Sequence, residues 1–89
     1  MSEVIHKYKI QNDSCDCYTD MPFSARIISV SYQRDDIQVW AIVESDDKDI
    51  HRVYFNVYPT GLTVEKIEGK FLGTVICSDG SLVFHVYLK

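Results

Sequence analysis

The chain has 89 residues, 46% of them hydrophobic and 25% charged, a balance typical of folded domains that leaves room for one small domain over residues 1–89 and none for a second. Nine Lys and Arg against 13 Asp and Glu give a net charge of −4, which argues against a nucleic-acid polymer binder, and the sequence shows no basic stripe to neutralise phosphates. No apolar run approaches the about 18 residues of a membrane span, and the N-terminus lacks a continuous apolar signal core, so no membrane partner is expected.

Three cysteines, Cys15, Cys17 and Cys77, are an odd number without the spacings of a disulfide framework, which points to a reducing compartment and a cytoplasmic location. By size scaling the extended chain exposes about 15,000 Å² and the folded one about 5,400 Å². With about 60% of the buried area apolar, burial supplies about 140 kcal/mol against about 135 kcal/mol of ordering entropy. The two terms cancel, so a lone copy is expected to be marginal and a homo-oligomer is favoured.

Val4 to Ile10 alternates, with Val4, His6, Tyr8 and Ile10 on one face and Ile5, Lys7 and Lys9 on the other, and this predicts a first strand. Residues 11–22, rich in Asn, Asp and Ser and closed by Pro22, read as a connecting loop. Ala25 to Gln33 predicts a second strand, with Ile28, Val30 and Tyr32 opposed to Ile27, Ser29 and Ser31. After the turn residues Arg34-Asp35-Asp36, the strand Ile37 to Glu44 is apolar on both sides: Ile37, Val39, Ala41 and Val43 alternate with Gln38, Trp40, Ile42 and Glu44.

Ser45 to Asp49 forms a polar hairpin tip leading into Ile50 to Tyr58, where Val53, Phe55 and Val57 oppose Arg52, Tyr54, Asn56 and Tyr58. Pro59-Thr60-Gly61 breaks that strand, and residues 62–68 allow at most one helical turn or an irregular excursion. Lys70 to Cys77 and Ser81 to Leu88, joined by Ser78-Asp79-Gly80, form a final hairpin with Phe71, Val75, Leu82, Phe84, Val86 and Leu88 as core residues. Gly73 marks a bulge or a close backbone approach. About six short antiparallel strands predict an all-β fold, either a small barrel or a sandwich.

Cys15-Asp16-Cys17 with His6 nearby offers soft ligands, but a structural zinc takes a second ligand pair that this chain lacks, so no metal is expected. The acidic residues Asp35, Asp36, Glu44, Asp46, Asp47 and Asp49 sit at opposite ends of one strand, and the Asp46 to Asp49 run lacks the Gly and distal Glu of a calcium loop. There is no nucleophile elbow and no glycine-rich phosphate loop, so the chain is not expected to be an enzyme or to carry a cofactor. His85, between Phe84 and Val86, reads as a hydrogen-bonded structural histidine.

Trp40, Arg52, Tyr54, Tyr58 and Tyr87 lie opposite the core stripes. Aromatic rings with polar tips beside an Arg are the residue types of a partner-binding hot spot. The same set can stack on a base while Arg52, Lys66 or Lys70 meets phosphate, which would suit a small nucleotide-like ligand. It can also be a second core layer or a homo-oligomer interface. Composition and spacing leave these readings open.

Several runs taken together resemble a family of short bacteriophage-encoded proteins of unknown function. They are Met21-Pro22, the stretch Ala25-Arg26-Ile27-Ile28-Ser29-Val30, Trp40-Ala41-Ile42-Val43, Gly69-Lys70-Phe71-Leu72-Gly73-Thr74, and the closing Gly80-Ser81-Leu82-Val83-Phe84-His85-Val86. The resemblance spans Met21 to Leu88; the segment with Cys15 and Cys17 lies outside it. It implies a phage origin, a small β fold, and by context a role in binding and blocking a host component, as some oligomeric phage proteins sequester immune-signalling nucleotides.

Overall fold

The structure, a computed structural model, describes residues 2–89, and its regular elements are eight β-strands: β1 (Glu3–Lys9), β2 (Gln11–Asn12), β3 (Cys17–Pro22), β4 (Arg26–Gln33), β5 (Asp36–Glu44), β6 (Ile50–Pro59), β7 (Lys70–Ile76) and β8 (Val83–Leu88). All pairings are antiparallel. They form a three-stranded sheet, β1-β5-β4, and a five-stranded sheet, β2-β3-β6-β8-β7. The two sheets face each other as a sandwich and do not close into a barrel.

β5 is apolar on both sides because it is the central strand of its sheet. Its inner residues Val39, Ala41 and Val43 are almost fully buried, and Val39 packs in one cluster with Met21, Phe55, Val75 and Val86 from the other sheet. Each Val, Met or Phe side chain among them is worth about 1.5–3 kcal/mol when fully buried. Between β5 and β4 the turn residues Arg34 and Asp35 take φ of 54° and 65°, the left-handed pair whose twist suits a two-residue hairpin.

Three connections, β1–β2, β3–β4 and β5–β6, carry the chain between layers. Ile10 leaves the three-stranded sheet with its N–H donating to the Ile37 carbonyl at 2.9 Å, and its buried side chain enters the core. After Pro22, the Ala25 N–H donates to the Pro22 carbonyl at 3.0 Å, the Ser24 N–H to Asp47 at 2.8 Å, and the Glu44 N–H to Ser24 Oγ at 3.1 Å. These bonds tie the β3–β4 crossing to the β5–β6 crossing and satisfy backbone groups that no ladder reaches.

The segment 11–22 is not a loop. It folds as β2 and β3 around a turn in which Asp13 Oδ1 accepts the N–H groups of Cys15 and Asp16 at 3.0 and 2.8 Å. Its polar composition hides the alternation of inner Cys17, Thr19 and Met21 with outer Tyr18 and Asp20. Thr19, only 4% exposed, sits where the pattern calls for an apolar residue.

Bulges overturn two further expectations. In β4, Ile27 and Ser29 oppose consecutive residues Ala41 and Trp40, so Ile28 is the extra residue and is 52% exposed; Ile27, Val30 and Tyr32 are the ones that pack on the core. In β7 the ladder skips Leu72, which turns Phe71 outward to 54% exposure. Leu82, expected in the core, is 53% exposed in the turn before β8. Gly73 meets both readings made of it: it adjoins the bulge, and a Cβ there would lie 2.6 Å from Val30 Cγ2 where β7 closes against β4. Residues 62–68 are irregular and contain no helical turn.

The sandwich is open. Its accessible surface of 6073 Å² exceeds the about 5,400 Å² expected for its mass, and it is elongated, 44 × 28 × 22 Å. The free edge strand β1 carries Glu3, Lys7 and Lys9, charges that discourage edge-to-edge pairing.

Candidate binding surface

The outer face of the five-stranded sheet is built by alternation. Phe55 and Val53 point inward from β6, so Arg52, Tyr54, Asn56 and Tyr58 point outward. The β3–β6 register sets Tyr18 opposite Tyr54 and Asp20 opposite Arg52. Arg52 donates through Nε and Nη2 to the two Asp20 oxygens at 2.9 and 3.3 Å, and its guanidinium carbon lies 4.0 Å from the centre of the Tyr18 ring. The Tyr18 and Tyr54 rings are 6.5 Å apart. The Arg52–Asp20 hydrogen bonds lower the Asp20 carboxyl below the usual range and raise the Arg52 guanidinium above it. Both partners are about half exposed, so the pair orients the guanidinium more than it stabilises the fold.

A second aromatic group continues the face. Tyr87 of β8 contacts Tyr58 at 5.6 Å and Phe71 at 5.3 Å between ring centres. Residues 60–69 cross this part as a strap: Asn56 Nδ2 donates to the Glu68 carbonyl, and the Glu68 N–H donates to the Tyr58 hydroxyl, both at 3.1 Å. Lys66 stands exposed on the strap. His85 contacts Thr60 Oγ1 at 2.6 Å and Thr74 Oγ1 at 3.0 Å through its two ring nitrogens, a structural histidine that fastens the start of the strap to the sheet.

The predicted set does not converge on one face. Trp40 alternates with buried Val39 and Ala41 in the other sheet, so it points away from Arg52 across the whole sandwich. Its Nε1 donates to Ser31 Oγ at 3.2 Å, and Lys7 Nζ lies 5.6 Å from the ring centre. Lys70 pairs with Leu88 and lines a cleft between the layers instead of joining the outer face. Arg52, Tyr54, Tyr58 and Tyr87 do share the face. Tyr18 and Asp20 complete it and were missed because residues 11–22 read as loop; the Cys17/Thr19/Met21 alternation was the signal that could have found them.

The thiols are dispersed. Cys15 is exposed, Cys17 donates to Asn12 Oδ1 at 3.2 Å, and burial followed by the charges of Asp16 and Asp13 pushes its thiol up. Cys77 donates to Asp79 Oδ1 at 2.9 Å and accepts the Leu82 N–H at 3.2 Å. With further bonds from the Ser81 hydroxyl and N–H, these contacts bring the Asp79 carboxyl down to about 2. Among the described residues no cluster of three or more His, Cys, Asp or Glu is arranged to hold a metal ion, and no helix is long and apolar enough to cross a membrane.

Two clefts open between the sheets. One, of about 420 Å³, lies between β4 and the inner side of the five-stranded sheet and includes Arg26, His51 and Lys70. The other, of about 320 Å³, includes Asn12, Tyr32, Asp35 and Asp36. The hydroxyl of Tyr32 is raised by desolvation and then by the negative charges around it, Asp35 first.

Over residues 1–89 the chain matches the family described as a domain of unknown function, DUF7352, and it belongs to that family. No curated protein and no solved structure matches it. The family agrees with the sequence resemblance in having no assigned function.

Proposed function

We propose that this DUF7352 domain is a non-enzymatic phage accessory protein that binds and blocks a host protein, using the outer face of its five-stranded sheet. The observation that carries the reading is the Tyr18–Arg52–Tyr54 cluster, extended by Tyr58, Tyr87 and Phe71. These are the residue types that dominate interface energetics, and the Asp20 bond orients the guanidinium in advance, so less freedom is lost on binding. The phage context comes from the sequence resemblance alone. The variant with a small signalling nucleotide is less well supported, because Arg52, Lys66 and Lys70 stand on the sheet face, the strap and the cleft. Self-association through the same face is the competing reading.

Host lysate passed over immobilised wild type, Trp40→Ala and the double variant Arg52→Ala/Tyr54→Ala tests this. One host protein should be retained by wild type and Trp40→Ala and lost by the double variant, whose melting temperature stays within a few degrees. Equal retention by all three refutes the assigned face. A dimer in solution that the double variant disperses refutes the host-target reading in favour of self-association.

A further inference from the structure

The larger interlayer cleft has two chemically distinct parts. Its floor is Ile27, Val53, Leu72 and Leu88, side chains that pack against the buried core yet remain partly open to solvent. Leu72 is there because the β7 bulge adds a residue to the strand; bulges re-aim side chains in this way. Its rim carries Arg26, His51 and Lys70, all exposed, with the Phe23 ring tilted against that of His51 at 5.1 Å between centres and 74% exposed.

The charge of the rim is selective. Among the described residues no carboxylate lines the cleft, although the chain has 13 acidic residues. Arg26 is held from behind by Glu3 at 2.7 Å, whereas Lys70 has no ion-pair partner among the described residues. Apolar surface left wet beneath an uncompensated cation suits a ligand with an apolar body and one negative end: the body displaces water from the floor, and the head meets the ammonium.

We propose that this cleft binds a small amphipathic carboxylate, its head at Lys70 and Arg26 and its apolar body along Leu72, Leu88 and Val53. At about 420 Å³ the cleft falls in the range of small-molecule sites and takes a body of about ten carbons. The site is separate from the outer face, so either can fail without the other.

Nuclear magnetic resonance of the full chain tests it with three matched probes: decanoate, decanol and decylammonium. Decanoate should shift the amides of Ile27, Val53, Leu72 and Leu88 saturably at millimolar concentration or below. Decylammonium and decanol should bind at least about tenfold more weakly, as should decanoate to Lys70→Glu, a substitution at an exposed position that leaves the melting temperature unchanged. Arg52→Ala/Tyr54→Ala should bind decanoate like wild type. The proposal is overturned if decanoate shifts nothing in the cleft, if acetate produces the same shifts, if decylammonium binds as tightly, or if Lys70→Glu has no effect.

Discussion

Gly69 ends the strap with φ of +102°, and a Cβ there would lie 2.5 Å from the Leu88 carbonyl oxygen and 3.2 Å from Tyr87 Cβ. Carbon–oxygen contacts in sheets are ordinarily about 3.3 Å or longer, so Gly69→Ala forces β8 or the strap to move. Gly61, at the other end of the strap, has a similar φ of +90° but nothing within 4 Å of its Cβ. The backbone penalty, about 1–2 kcal/mol, is therefore common to both alanine variants, and only Gly69→Ala adds the about 1–3 kcal/mol of overpacking.

For 89 residues an unfolding entropy of about 2.1 cal/mol/K per residue makes each kcal/mol worth about 5 °C. Gly61→Ala should lower the melting temperature by about 5–10 °C and Gly69→Ala by about 10–25 °C. Paired thermal melts followed by circular dichroism measure the gap. Melting temperatures within about 2 °C of each other would refute the close approach of strap and sheet.

Phe55, 2% exposed at the centre of the core, should cost about 3–5 kcal/mol on substitution by alanine, read as a lower midpoint in urea. Asp79 is held at about 2 against an ordinary 3.8; its depressed folded value means the stabilisation is complete above pH 3.8 and lost as pH falls through about 2. Asp13, Asp20 and Asp47 are lowered too and act with the same sign, so acid urea titrations should show a falling midpoint, less steep in Asp79→Asn. A thiol reagent should label Cys15 quickly in the native protein, while partly buried Cys17 and buried Cys77 wait for denaturant. Rapid native labelling of all three thiols would contradict their placement.

The legible parts of the molecule are those governed by neighbours in the chain. The alternation in Ile37 to Glu44 and Ile50 to Tyr58 groups Val39, Ala41 and Val43, and Val53, Phe55 and Val57, on single faces as the structure has them, because strand geometry makes side chains alternate whatever the strand pairs with, although Gln38 is buried as well. Gly73 was readable for a similar reason: a missing side chain inside a strand needs a local cause. β3 was not readable, since its inner row includes Thr19, a polar residue that lies buried opposite Val53.

Bulges at Ile28 and Leu72 depend on how two strands fit a neighbour and a corner, so each defeats a strict count of two: Phe71 turns outward and Leu72 enters the cleft. For the site, residue chemistry singled out Arg52, Tyr54, Tyr58 and Tyr87, and it grouped Trp40 and Lys70 with them on equal grounds. Periodicity says which side of its own strand a residue occupies and carries no record of which sheet that strand joins. The sandwich decided that: it set Trp40 on the opposite layer, brought Tyr18 and Asp20 to Arg52, and left Lys70 at the mouth of a cleft that exists only between the two sheets.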